Sequence, residues 1–295
     1  MRVGIIVPQG WTGEYDGWDP SRAWVRTVAV AHEAEALGFD SLWMFDHVQT
    51  EPVPADEITF EAFTGLAALA AETARVRLGH LVLCAGYRNP ALATKMISTL
   101  DVIAGGRAEL GLGAGWKEDE FTAYGFGFPP LRTRMEMLED ALEIATRMLG
   151  RERATYAGPT ASVRDAVNVP RGLQEPRIPI LVGGNGPNRT WRLAARFADE
   201  LNLDWFTPDE VEGNRAVIGS RCEEIGRDPS TLRLSVNIGS DHSATGGAPR
   251  VNLLRRYREA GVDRVMTLLR ASATDEHALE RFAEDCAAAG CDLDA

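Results

Sequence analysis

The feature that most constrains this chain is a rhythm. Short apolar, β-branched runs alternate with amphipathic helical patterns almost to the end. The runs are VGIIVP (3–8), DSLWMFD (40–46), VRLGHLVLC (76–84), RAELGLG (107–113), IPILVG (178–183), DELNLD (199–204), LRLSVNI (232–238) and DRVMTLL (263–269). A helix from about Pro20 to Leu37, stopped by Gly38, follows the first, and one near 59–73 follows the second. The third is followed by a helix opening at Pro90, the favoured first helical position. Further helices are predicted at 131–149, 187–197, 208–226, about 249–260 and about 275–289. A doubly wound sheet rarely needs eight such units in strict alternation, whereas a closed (β/α)8 TIM barrel needs that number. No linker divides the chain, so residues 1–295 are expected to form a single barrel domain. Two stretches break the rhythm. Residues 114–130, AGWKEDEFTAYGFGFPP, read as a long aromatic loop after strand four. Residues 150–177, with a Gly-Pro between β-like runs, read as an inserted hairpin before strand five.

With 295 residues, 45% of them hydrophobic, the chain can bury a sizeable core. A net charge of −12 argues against nucleic acid or an anionic membrane surface as the main partner. Cys84, Cys222, Cys286 and Cys291 form no C-x-x-C pair and no zinc spacing, so they read as reduced thiols. The opening MRVGIIVPQG lacks the apolar length and cleavage site of a signal peptide and reads as a strand. No apolar run approaches the roughly 18 residues of a membrane span. The expectation is a cytoplasmic enzyme acting on a small molecule. Lys95 and Lys117 are the only lysines, and Lys95 falls inside a predicted helix, which disfavours Schiff-base chemistry.

A barrel of this kind carries its active site at the C-terminal strand ends. That rule selects Asp46 and His47, Leu83 and Cys84, Gly113 to Gly115, Gly183 to Gly186, Asp204 and Trp205, Asn237 and Arg270, among others. The Gly183-Gly184-Asn185-Gly186 knot just before a helix offers backbone donors, and with Arg189 it could bind a phosphate; the bland alternative is a plain tight turn. Gly111-x-Gly113-x-Gly115 does not match a dinucleotide fingerprint, and reads either as barrel packing or as room for a flat ligand. His47 suits proton transfer at the barrel mouth, the alternative being a surface histidine beside a turn aspartate. No metal site is expected, because no paired ligand motif joins His47 to His80. Cys84 reads chiefly as a small buried hydrophobe. No G-x-S-x-G elbow is present, which removes the usual serine hydrolase. Trp11, Trp116, Tyr124, Phe126 and Trp205, in segments near the mouth, suggest a pocket for a planar ligand.

The segments RVGIIVPQG, AEALGFDSLWMFDH, GYRNPALATKMISTLDVIAGGRAELGLGAGWKEDEFTAYGFGFPP and IPILVGGNGPNRTWRLAARFADELN resemble the luciferase-like flavin and deazaflavin oxidoreductases. More narrowly they are similar to the actinobacterial branch dependent on coenzyme F420. The resemblance covers residues 1 to about 230 through YRNP, AGGR, GAGW and AYGFGFP in order, and beyond that fades to the general barrel pattern. It implies a barrel holding coenzyme F420 or, alternatively, FMN at its mouth, with the cofactor phosphate at Gly183, Gly184, Asn185, Gly186 and Arg189. It implies a non-proline cis peptide near Leu81–Val82 against the cofactor ring, with Val82, Cys84, Gly113 and Ala114 around it. Asp46 and His47 match an acid–histidine pair near the reacting ring. Leu83 and Gly86 stand where relatives often carry threonines, and Pro159-Thr160-Ala161 replaces an aromatic of the inserted segment. The implied activity is hydride transfer between reduced coenzyme F420 and a small organic substrate. An FMN-dependent monooxygenase using oxygen and a cofactor-free binding barrel are the alternatives. A homodimer is the implied assembly.

Overall fold

A computed structural model describes residues 1–240, 243 and 245–293. Eight parallel staves close into a barrel. They are β1 (Arg2–Ile6), β2 (Ser41–Met44), β3 (Arg77–His80) continued by β4 (Leu83–Cys84), β5 (Ala108–Gly113), β8 (Ile180–Gly183), β9 (Glu200–Asp204), β10 (Arg233–Asn237) and β11 (Arg264–Leu268). Closure is made by β1, which pairs in parallel with both β2 and β11. The expected third strand is interrupted: its two halves flank a cis Leu81–Val82 peptide, and both halves pair with β5. The antiparallel hairpin β6 (Ala154–Ala157) and β7 (Ser162–Ala166) stands outside the barrel, in the segment expected to hold it.

The helices between staves are α1 (Pro20–Ala36), α2 (Ala62–Glu72), α3 (Pro90–Ile103), α5 (Leu131–Leu149), α6 (Thr190–Phe197), α7 (Pro208–Glu223), α8 (Ala248–Glu259) and α9 (Ala278–Ala289). Their starts are set locally. Asp19 accepts from the Arg22 N–H ahead of Pro20, Asn89 accepts from Ala91 and Leu92 ahead of Pro90, and Thr207 with Glu210 forms a capping box. Each such cap contributes about 1 kcal/mol. Several helix boundaries differ from the periodicity by about three residues, and two departures lie near the site. Residues 187–189 are a turn, so α6 begins at Thr190, and the long loop contains a short helix, α4 (Glu118–Ala123).

Alternation along each stave divides the core. Val3, Ile5, Leu42 and Leu78 face the helices, whereas Ile6, Trp43, Leu181, Met266 and Leu268 fill the barrel. Trp43 needs the space left by Gly4 and Gly79, where an added Cβ would stand 2.7 and 2.3 Å from its ring. Such a buried indole contributes about 3–5 kcal/mol against truncation to alanine. At the N-terminal end of the staves the fully enclosed Arg264 bonds Asp40, Glu109 and Glu200 and lies 4.9 Å over the Trp43 ring. This charged floor closes one end and leaves the other for the site.

Candidate active site

The open end holds a cleft of about 1240 Å³. All of Asp46, His47, Val82, Cys84, Gly113, Ala114, Gly183, Gly184, Asn185, Gly186 and Arg189 line it, so the fold gathers residues from four stave ends into one cleft.

His47 is the most constrained of them. Its Nδ1 lies 2.8 Å from Glu120 Oε2 on α4, and Glu120 also accepts from the N–H groups of Val48 and Gln49 and from the Tyr87 hydroxyl. Burial raises the Glu120 pKa, but the His47 hydrogen bond and charge, with the Val48 N–H and the Tyr87 hydroxyl, outweigh it and hold the carboxyl below its usual range. Burial, then Glu120, pushes the Tyr87 phenol up, so it remains a donor. An ionised carboxylate only accepts, which assigns the proton to Nδ1. Among the described residues the other nitrogen, Nε2, meets no protein hydrogen-bond partner, and the side chain lines the cleft. The ring is stacked on Trp11, centroids 4.0 Å apart and planes 1° apart, with the Trp116 edge at 5.7 Å.

Asp46 is buried. Its Oδ2 accepts from the Cys84 N–H at 2.8 Å and from Arg88 at 2.7 Å, and Arg88 continues to Glu61. Its Oδ1 is enclosed and meets no donor among the described residues. Burial raises its pKa and Arg88 only partly opposes this. Cys84 contributes its backbone; burial pushes its thiol up to about 12, so it stays protonated and inert.

Three glycines shape the facing wall. A Cβ on Gly111 would stand 2.0 Å from the His80 carbonyl, which is close barrel packing. Cβ atoms on Gly113 and Gly183 would stand 2.6 and 3.0 Å from the Val82 side chain, which occupies the space between them. Gly111 therefore serves packing, and Gly113 and Gly183 leave room for the Val82 side chain that lines the cleft.

The glycine knot is less bare than the sequence suggests. The Gly184 N–H donates to the Asn202 carbonyl, and the Asn185 side chain bonds both the N–H and the carbonyl of Asp204. Gly184 sits at φ +133°, a conformation that disfavours any side chain. Among the described residues no protein acceptor takes the N–H of Asn185 or Gly186. Arg189 is shared with the Arg132 carbonyl at 3.3 Å and with Glu139 at 3.6 Å. The anion-binding set thus reduces to two backbone donors and one partly occupied guanidinium.

Sequence reasoning missed Glu120, Tyr87 and Arg88. The acidic KEDE run after GAGW held a usable signal, since a glutamate within a short aromatic helix is placed to be buried.

The sequence model of the luciferase-like monooxygenase family matches residues 1–287. A F420-dependent glucose-6-phosphate dehydrogenase of Kineococcus radiotolerans is 37% identical over 218 residues, 72% of this chain and 63% of that protein. Its counterpart in Microbacterium testaceum is 36% identical over 167 residues, 56% of this chain and 48% of that protein. The matches therefore span about half to somewhat under two-thirds of these curated relatives. A solved F420-dependent secondary alcohol dehydrogenase, in complex with an F420–acetone adduct, superposes with a TM-score of 0.82 at 18% identity, covering 98% of both chains, a likeness of fold. Barrel, cleft and family match agree: the chain belongs to the luciferase-like monooxygenase family.

Proposed function

We propose that this chain is an oxidoreductase that transfers a hydride between coenzyme F420 and a small organic substrate, with the whole chain serving as one barrel domain. The observation that carries the reading is the His47–Glu120 pair set in a cleft with a flat, glycine-built wall. The names of the relatives, F420-dependent dehydrogenases, favour this cofactor over FMN. The residues present fit such a group. Val82, Gly113 and Gly183 leave a surface free of projecting polar side chains, suited to a flat ring, and the unpartnered Asp46 Oδ1 awaits a donor. Asn185 and Gly186 would hold a phosphate by their N–H groups, with Arg189 beside them. When bound, coenzyme F420 supplies a two-electron hydride donor or acceptor.

The chain's own task is the proton. Oxidising an alcohol releases a proton and reducing a carbonyl consumes one, and His47, whose Nε2 is not taken by Glu120, lines the cleft. Glu120, fixed at Nδ1, sets the tautomer and stabilises the ring when it carries the second proton. Trp11 stacks on one face of the His47 ring, and Trp116 meets it in a T-shaped contact.

The test is a parallel fluorescence titration with coenzyme F420 and with FMN, followed by oxygen uptake in the presence of each reduced cofactor. Saturable F420 binding without oxygen uptake is expected. Tight FMN binding with rapid oxygen consumption would replace this reading by a monooxygenase, and no binding of either cofactor would leave a binding barrel.

A further inference from the structure

The contact between His47 and Trp11 does more than line a pocket. A hydrogen bond from Nδ1 to Glu120 fixes one atom of the imidazole and leaves the ring free to swing about it. The parallel indole at 4.0 Å removes that freedom. Trp11 is itself tightly held: its carbonyl accepts from the Glu51 N–H, its ring packs on Phe45 at 4.7 Å, and the preceding Gly10 has no room for a Cβ, which would stand 2.0 Å from the Ile58 carbonyl. Its indole N–H is buried and meets no acceptor among the described residues, an arrangement that costs stability. Trp11 is therefore not placed for a hydrogen bond within the protein; what its position achieves is the stack. Local rules are broken in this way where function requires it.

We propose that Trp11 is the positioning residue of the His47 relay: its indole fixes the imidazole plane so that Nε2 alone addresses the cleft. The charged groups around His47 are Glu120 at Nδ1, the Lys117–Glu51 pair lining the same cleft, and Asp46 with Arg88 from the adjoining strand end. The inference rests on the reading of His47 as proton carrier, and its test works on the protein without cofactor.

Protein labelled with ¹⁵N,¹³C-histidine has five histidines, and His47→Asn assigns the His47 ring signals. In the wild type the Nδ1–H proton bonded to Glu120 is expected as a slowly exchanging downfield signal, with a single set of His47 ring resonances. Trp11→Phe, which keeps a stacking face, retains both. Trp11→Leu, which fills space without one, exchanges that proton at least tenfold faster and broadens or splits the ring signals, while melting as a folded protein. Trp11→Met replaces it if the leucine variant does not fold. A His47 signal set unchanged in the aliphatic variant would overturn the proposal and leave Trp11 as pocket wall. Failure of the functional reading is separate: it shows as full turnover in His47→Asn, whatever the ring signals do.

Discussion

The two ends of the barrel are both polar and solve opposite problems. At the floor, Arg264 is enclosed among Asp40, Glu109 and Glu200, and Arg77 and Arg233 pair with two of the same carboxylates. No unpartnered buried side-chain atom is found there among the described residues. At the mouth, Trp11 Nε1, Thr12 Oγ1 and Asp46 Oδ1 are enclosed without partners among the described residues. The floor is a finished network that can only close. The mouth keeps unmet hydrogen-bonding capacity for something that is not protein. Satisfaction, not polarity, separates the two ends of the barrel here.

The sharpest way to break that contrast is to open the floor. Arg264→Met leaves carboxylates facing one another in a dry interior and should cost roughly 3–5 kcal/mol of unfolding free energy. Urea unfolding checks this, and a loss below about 1 kcal/mol would mean the network is ornamental. At the mouth, His47→Asn should spare stability to within about 1 kcal/mol yet slow F420-linked turnover roughly 10²- to 10⁴-fold, the range for a lost general acid–base.

Two carboxylates sharpen the comparison through pH. Burial raises the Glu109 pKa, but Arg264 and then Arg77 overcome it and bring it down to about 2. Its contribution is therefore complete above the ordinary glutamate value of 4.5 and is lost as pH falls from there toward 2. For Asp46 burial wins and the pKa is raised, so its ionisation works against the fold as pH rises through that value. Glu109→Gln should thus melt lower than wild type at pH 7 and lose less on acidification. Asp46→Asn should melt at least as high as wild type at pH 7. Thermal melts from pH 3 to 7 decide it, and the same sign for both variants would contradict the contrast. The smallest effect is expected for Arg189→Ala. Its guanidinium is already shared with Glu139 and the Arg132 carbonyl, so F420 affinity should fall about tenfold or less.

What the sequence disclosed follows from range. The βα rhythm, the caps at Asp19, Asn89 and Thr207, and the placing of His47 at a strand end depend on neighbours within a few residues. Glu120 lies 73 residues from His47, and only barrel closure brings α4 over the β2 end. The partners that occupy Gly184 and Asn185, the Asn202 carbonyl and the Asp204 backbone, belong to the next stave, so the knot looked barer than it is. Arg264 sits 155 residues from Glu109 and reads in the sequence as an ordinary strand-opening arginine. Local chemistry named residues that the fold brings into one cleft; the long-range contacts determine which of their donors and acceptors remain free.

The central claim, that the glycine wall in the His47 cleft is the seat of coenzyme F420, is tested most directly by one equilibrium titration. Coenzyme F420 is titrated into wild type, His47→Asn and Gly113→Val, each first shown to be folded by its melt. A Cβ at position 113 would stand 2.6 Å from Val82, so valine there must fill the flat wall or displace the side chain that completes it. The account predicts saturable binding to the wild type, binding within about threefold for His47→Asn, and at least about tenfold weaker binding for Gly113→Val. Folded Gly113→Val protein that binds coenzyme F420 as tightly as the wild type would contradict it.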